Sequence, residues 1–256
     1  MVTSTRAPLL ETDYNLHKSN STYFSDMDIS RTNLFTAIIR NGIKKNSRLY
    51  GAKKSSTAEA TQGTRGSHMV ALGGISCLFK REILPYHKYE MWTRLLCWDR
   101  KWFYLVTHLV KPGVGRPARW TLQPWKASNG KSGPADHEVD KDKLLGAVYA
   151  TAIAKYVIKR GRITVSPEQV LLDADMVPVK PEGWVYLAQE EERDGDAEGV
   201  LPRSEGKEGE WNWDVIEKER LRGLEVAQKF AEMDGMHGFF DGGREGVLGE
   251  YTDLLF

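Results

Sequence analysis

Asp13, His17 and Asn20 are the residues of this chain whose types and spacing could do chemistry. They lie in Asp13-Tyr-Asn-Leu-His17-Lys-Ser-Asn20-Ser-Thr-Tyr23, a short polar stretch that runs directly into a helical pattern. A carboxylate before a helix N-terminus can orient a water or attack directly. The free N–H groups of the first helical turn can hold a carbonyl oxygen that gains charge in a transition state. The same residues also fit a plain capped loop, with Asn20 on the helix end and His17 merely exposed.

The chemistry needs elements to hold it. From Ser21, the residues Tyr23, Phe24, Met27, Leu34, Phe35, Ile38 and Ile39 recur at helical spacing. Asn20 or Ser21 suits the cap of this helix, and Asn41-Gly42 suits its end. Asp26 and Asp28 fall in the early turns, where the macrodipole favours acid, and Arg40 falls near the end. Residues 5–12 read as a first strand. Residues 44–66 read as a surface loop or insertion. Its Lys44, Lys45, Arg48, Lys53 and Lys54 could meet phosphates or simply be solvated.

Strand-like runs follow. Residues 70–83 carry Gly73-Gly74, which predicts a bulge or a close backbone approach. Residues 89–98 and 102–110 are aromatic and β-branched, and Asp99-Arg100-Lys101 between them reads as a hairpin turn. Residues 112–134 hold four prolines and read as a long loop. Residues 144–165 are ambiguous: alanines favour a helix, yet Val148, Ala150, Ala152, Ala154 and Tyr156 alternate with period two. Residues 178–209 read as an acidic linker. Residues 211–233 form an amphipathic helix with Trp213, Ile216, Leu221, Leu224, Ala227 and Phe230 as its apolar stripe.

Composition narrows the function class. The chain has 256 residues and a net charge of +1, so no global field points to nucleic acid or to anionic membrane. No apolar run approaches the ~20 residues of a membrane span. Cys77 and Cys97 sit in apolar runs and read as buried free thiols ahead of a disulfide, which fits a reducing, cytoplasmic setting. His68, His87, His108, His137 and His237 lack metal-ligand spacing, so no metal is expected. There is no Gly-x-Ser-x-Gly elbow, which disfavours an α/β-hydrolase.

The pattern Asp-x-x-x-His-x-x-Asn-x-x-Tyr leading into a long helix resembles the hot-dog thioesterases of the 4-hydroxybenzoyl-CoA type, and most of all their thioesterase-like branch common in fungi. Ser25-Asp-Met-Asp-Ile-Ser-Arg31 resembles that branch's helix. Tyr89-Glu-Met-Trp-Thr-Arg94 and Trp98-Asp-Arg-Lys-Trp102 resemble its central strands. Tyr156-Val-Ile-Lys-Arg-Gly-Arg162 with Pro167-Glu168 resembles its last core strand and exit. The resemblance covers roughly residues 5–175.

The resemblance implies an α+β hot-dog fold, in which an antiparallel sheet wraps a long central helix. It makes 144–165 mostly strand, whose small alanines let the sheet approach the helix or a partner subunit. It implies a domain over 1–175 with insertions near 44–66 and 112–140. A linker over 176–209 and a helical extension over 210–256, packed on the same domain, would follow. Asp13 matches the family's catalytic acid, acting as base or nucleophile. His17 and Asn20 match positions that shape the turn and cap. Tyr23, Trp92, Thr93 and Trp102 would line the acyl site. Two positions depart from the pattern: Leu16 replaces the usual glycine and Ser19 the usual first asparagine of a pair. A glycine there often lets a backbone N–H approach the thioester oxygen.

The expected activity is hydrolysis of an acyl group on coenzyme A or a carrier protein, with no cofactor, in a homodimer. Two other classes remain open. One is an isomerase, dehydratase or cyclase on the same scaffold, acting on a small biosynthetic intermediate. The other is a non-catalytic binding protein.

Overall fold

A computed structural model of the protein describes residues 1–52, 68–115, 141–184 and 212–242. The chain opens with strand β1 (Val2–Arg6), a 3₁₀ turn (Leu9–Glu11) and the long helix α1 (Asn20–Ala52). Strands β2 (His68–Phe79), β3 (Lys88–Trp98) and β4 (Phe103–Val110) follow. Then come a short helix α2 (Lys141–Ala147), strands β5 (Val148–Arg160) and β6 (Ile163–Val165), and helix α3 (Pro167–Asp173). Helix α4 (Trp213–Ala231) and a 3₁₀ segment (Glu232–Phe239) complete the described elements.

The sheet is antiparallel throughout, with order β1-β3-β4-β5-β2, and β6 pairs with β5. α1 covers one face. Its buried stripe is Tyr23, Met27, Ser30, Arg31, Leu34, Phe35 and Ile38, spaced at three and four residues as one helix face requires. Tyr23 and Met27 pack with Tyr89, Met91, Leu109, Ala150 and Ala152. Leu34, Phe35 and Ile38 pack with Trp98, Phe103, Leu105, Tyr156 and Ile158. The alternation along β5 therefore wins over the helix propensity of its alanines from Val148 onward, while α2 takes the preceding turns.

Several boundaries differ from the sequence expectation. The first strand lies earlier, at Val2–Arg6, and residues 9–11 are a 3₁₀ turn. The helix does not stop at Asn41-Gly42 but continues to Ala52, so residues 44–52 are helical rather than loop. Gly42 is a crossing point. A Cβ there would stand 3.3 Å from the Ala174 nitrogen and the Asp173 carbonyl carbon, so the missing side chain lets α3 approach. Residues 178–184 are not a free linker. Trp213 Nε1 donates to the Pro178 carbonyl at 2.8 Å, and Trp184 Nε1 donates to Asp214 at 2.9 Å. Lys53 and Lys54, residues 116–140 and residues 185–211 lie outside the described residues.

Besides a register shift near the end of β4, between Leu109 and Val110, two bulges bend the sheet. One falls between Leu72 and Gly74, where the Trp102 ring rests against Gly73. The other falls between Leu95 and Cys97 and changes which residues face inward. Leu95 and Trp98 join the core under α1, while Leu96 and Cys97 face outward. At the following hairpin, Asp99 Oδ1 accepts the Lys101 and Trp102 N–H groups, each at 2.6 Å. α4 lies on the outer face over this bulge. A Cβ on Gly223 would stand 2.6 Å from the Leu96 carbonyl oxygen, so only glycine fits. Asn212 caps the helix by accepting the Val215 N–H at 3.0 Å.

Candidate active site

The Asp13 turn is a small closed loop. Thr12 and Lys18 form an antiparallel bridge at its neck. Inside it, the Asp13 N–H donates to the His17 carbonyl and the Leu16 N–H donates to the Asp13 carbonyl, both at 3.0 Å. Asp13 Oδ1 accepts the Asn15 N–H at 2.9 Å, an Asx turn. Asp13 Oδ2 lies 3.5 Å from His17 Nδ1, and both side chains are partly exposed. The turn thus holds a carboxylate and an imidazole together at the entrance to α1.

Leu16 adopts φ 61°, the left-handed region, where an L-residue is strained and glycine is not. The departure from the family pattern leaves the backbone shape that a glycine would take. Its side chain points out, 70% exposed. Its N–H is committed to Asp13. Ser19 keeps a boundary role: its carbonyl accepts the Thr22 N–H at 3.0 Å and the Thr22 hydroxyl at 2.8 Å. Asn20 is exposed and is itself the first helical residue rather than the residue before it.

The expected lining residues divide. Tyr23 lies on the α1 side but is a core residue, 1% exposed, with its ring edge-on to Phe79 at 5.1 Å. Burial, helped by the nearby Cys77, pushes its hydroxyl up to about 12. Thr93 faces α1, and its hydroxyl is used in a buried chain. It lies 2.8 Å from Ser30 Oγ and 3.0 Å from Thr107 Oγ1. Trp92 and Trp102 are on the other side of the sheet. Successive β3 side chains alternate faces, so with Met91 and Thr93 inward, Trp92 must point outward. There its Nε1 donates to Glu90 at 3.0 Å. Trp102 packs near Leu96, Tyr104 and Ile153, with Lys155 Nζ 5.2 Å from its ring. The structure does not bring these two tryptophans to the Asp13 turn.

Lys18 belongs to the turn, and the sequence alone does not single it out. It lies wholly buried behind the turn, paired with Glu11 and Asp26. Its partners stand seven residues before it and eight after it, spacings that belong to no local motif. Among the described residues no cluster of three or more His, Cys, Asp or Glu could hold a metal. Cys77 and Cys97 are free, and burial raises their thiols to about 11 and about 12.

A long helix laid across one face of an antiparallel sheet of order β1-β3-β4-β5-β2 is the hot-dog architecture, here with a second helix on the outer face. The chain belongs to the Thioesterase-like superfamily, whose sequence profile matches residues 7–170. It is 37% identical over 255 residues to the Emericella nidulans protein named "Probable thioesterase atnL", covering 99% of this chain and 74% of that one. It is 34% identical over 256 residues to "Thioesterase poxG" of Penicillium oxalicum, covering 97% and 74%. Among solved structures, the YbaW probable thioesterase of Escherichia coli shares 12% identity and a TM-score of 0.42. That match covers 69% of this chain and 96% of that one.

Proposed function

We propose that this protein hydrolyses acyl thioesters and that Asp13 carries the chemistry. The observation that supports this most is the Asp13 carboxylate on a closed turn at the entrance to α1, in a chain of the Thioesterase-like superfamily. Acting as general base, Asp13 takes a proton from water as the water oxygen attacks the thioester carbonyl. N–H groups of the first turn of α1 would stabilise the resulting oxyanion. The C–S bond then breaks, the sulfur takes up a proton, and a carboxylic acid and a thiol leave. Acting as nucleophile, Asp13 would instead form a mixed anhydride that water cleaves. His17 would orient the carboxylate from its place 3.5 Å away.

The substrate proposed is an acyl group on coenzyme A or on a carrier protein, and the working form proposed is a homodimer. Strand β2 ends the sheet and exposes Met69, Leu72 and Leu78, the apolar edge that a second copy would cover. The test is release of free thiol from a panel of acyl thioesters by wild type and by Asp13→Asn. Release by the wild type alone supports both the reaction and the residue. No release from any thioester, with a biosynthetic intermediate transformed instead, would replace hydrolysis by an isomerase, dehydratase or cyclase on this scaffold.

A further inference from the structure

Lys18 closes the Asp13 turn, and its side chain is fully buried. Its Nζ contacts Glu11 and lies 2.8 Å from Asp26 Oδ2. The Tyr89 hydroxyl donates to the same Asp26 carboxylate. The rings of Tyr23 and Tyr89 face the ammonium at 5.5 and 5.7 Å. Four segments therefore meet on one cation: the 3₁₀ turn through Glu11, the closed loop through Lys18, α1 through Tyr23 and Asp26, and β3 through Tyr89.

The backbone around Lys18 is tied at the neck of the loop, to the segment before β3 and to the start of α1. The Lys18 N–H donates to the Ile83 carbonyl at 2.8 Å, and the Ser19 N–H donates to the Glu11 carbonyl at 2.7 Å. The Ser19 bond closes the loop, the Lys18 bond ties it to the segment before β3, and the Ser19 carbonyl, which accepts the Thr22 N–H and hydroxyl, meets α1 at its first turn. The Lys18–Asp26 contact adds a side-chain tie one turn further along, because Asp26 stands on the second turn of that helix. Burying the Lys18 ammonium against two partly exposed carboxylates is a poor way to gain stability, since an apolar group of the same shape often does as well. Directed contacts of fixed length are what the charges supply.

We infer that Lys18 is the positioning residue of the Asp13 site. The Glu11–Lys18–Asp26 clasp sets the loop against α1 and so sets where the Asp13 carboxylate stands relative to the N–H donors of that helix. This rests on the reading of Asp13 as the residue that carries the chemistry. Lys18 itself touches no reacting atom.

The experiment replaces the clasp with neutral groups of similar shape, in the triple variant Glu11→Gln, Lys18→Met, Asp26→Asn. Three properties are read: thermal unfolding, kcat and KM for thiol release, and amide hydrogen exchange at Asp13, Asn15 and Leu16. The variant is expected to stay folded, with kcat down about 10- to 100-fold from misplacement of the base. KM should stay within about threefold, the pattern of an interaction felt mainly in the transition state. Exchange at the three loop amides should rise while the β4 amides stay protected. Should this variant not fold, Asp26→Asn alone loosens the tie to α1 and carries the same readouts at smaller amplitude. Wild-type exchange at the loop in a folded variant overturns the proposal, as does wild-type kcat. If Asp13→Asn retains full turnover, the base assignment falls, and the loop amides still decide whether Lys18 holds the turn.

Discussion

Leu16 donates its N–H to the Asp13 carbonyl at 3.0 Å from a backbone at φ 61°, so the loop carrying the acid is closed by a residue in a strained conformation. Leucine there costs on the order of 1–2 kcal/mol in the folded state, partly offset by the greater unfolded-state freedom of glycine. Leu16→Gly is therefore expected to stabilise the protein by up to about 1 kcal/mol. Leu16→Val, β-branched and worse at positive φ, should destabilise it by about 1 kcal/mol or more. Urea unfolding midpoints check both; a Gly variant less stable than wild type would remove the strain argument.

Asp13→Asn keeps the Asx turn, because the amide oxygen still accepts the Asn15 N–H. It removes the proposed base. Thiol release should fall by about 100- to 10,000-fold with an unfolding midpoint close to wild type. Unchanged turnover in this variant would exclude Asp13.

Gly223 is the contact of α4 with the β3 bulge. Gly223→Ala forces a methyl group against the Leu96 carbonyl, so the helix or the strand must shift. The expected cost is about 1–3 kcal/mol in spite of alanine's better helix propensity. Gly235→Ala, where an added Cβ meets nothing within 4 Å, is the control and should be nearly neutral. Equal effects at the two sites would contradict the packing described.

His108 lies on the outer face with Nδ1 3.0 Å from Thr151 Oγ1. Burial, and then the Arg94 charge, hold its pKa below the ordinary imidazole value of 6.5. Such a group binds fewer protons folded than unfolded. Its contribution is whole above the unfolded value and is lost as pH falls from there toward the folded value. Stability should thus decline as pH drops below about 6.5, where carboxylates do not yet titrate. His108→Gln should flatten that decline. An unaltered slope would show that His108 is not its source.

The two thiols should be poorly reactive in the native protein. With values of about 11 and about 12, Cys77 and Cys97 hold little thiolate at pH 8. Labelling by a thiol reagent should be about 100-fold or more slower than in the urea-unfolded chain, with Cys97 the slower of the two.

Much of the fold was legible because single patterns had single meanings. The alternation from Val148 to Tyr156 has one inward set, and the structure buries it from Ala150 onward. Asp99 with two following polar residues reads as a turn, and its carboxylate closes that turn. Gly42 misleads because glycine serves both as a helix stop and as a place where two backbones cross. Only the position of α3 decides between them. Trp92 and Trp102 read as site lining because aromatic residues are common there; which face of the sheet they take, and so whether one chain brings them to the Asp13 turn, depends on register and on a bulge. Asp26 and Asp28 suit a helix dipole from their position alone. Their partners are Lys18 and, at 2.6 Å, Arg31. A buried lysine between His17 and Asn20 reads as an ordinary polar residue until the fold brings Glu11 and Asp26 to it.

α4 on the outer face also restricts how copies of this protein can assemble. Two sheets stacked back to back approach to about 10 Å, a spacing filled by interleaved side chains alone. A helix in that layer is itself about 10 Å across. Gly223 holds α4 against β3, and Phe230 holds it beside Tyr104. Face-to-face stacking through that half of the sheet is therefore closed to a second molecule unless the helix leaves. Association along the β2 edge, the interface proposed above, would leave α4 where it is, so this helix would act as a steric selector among quaternary arrangements.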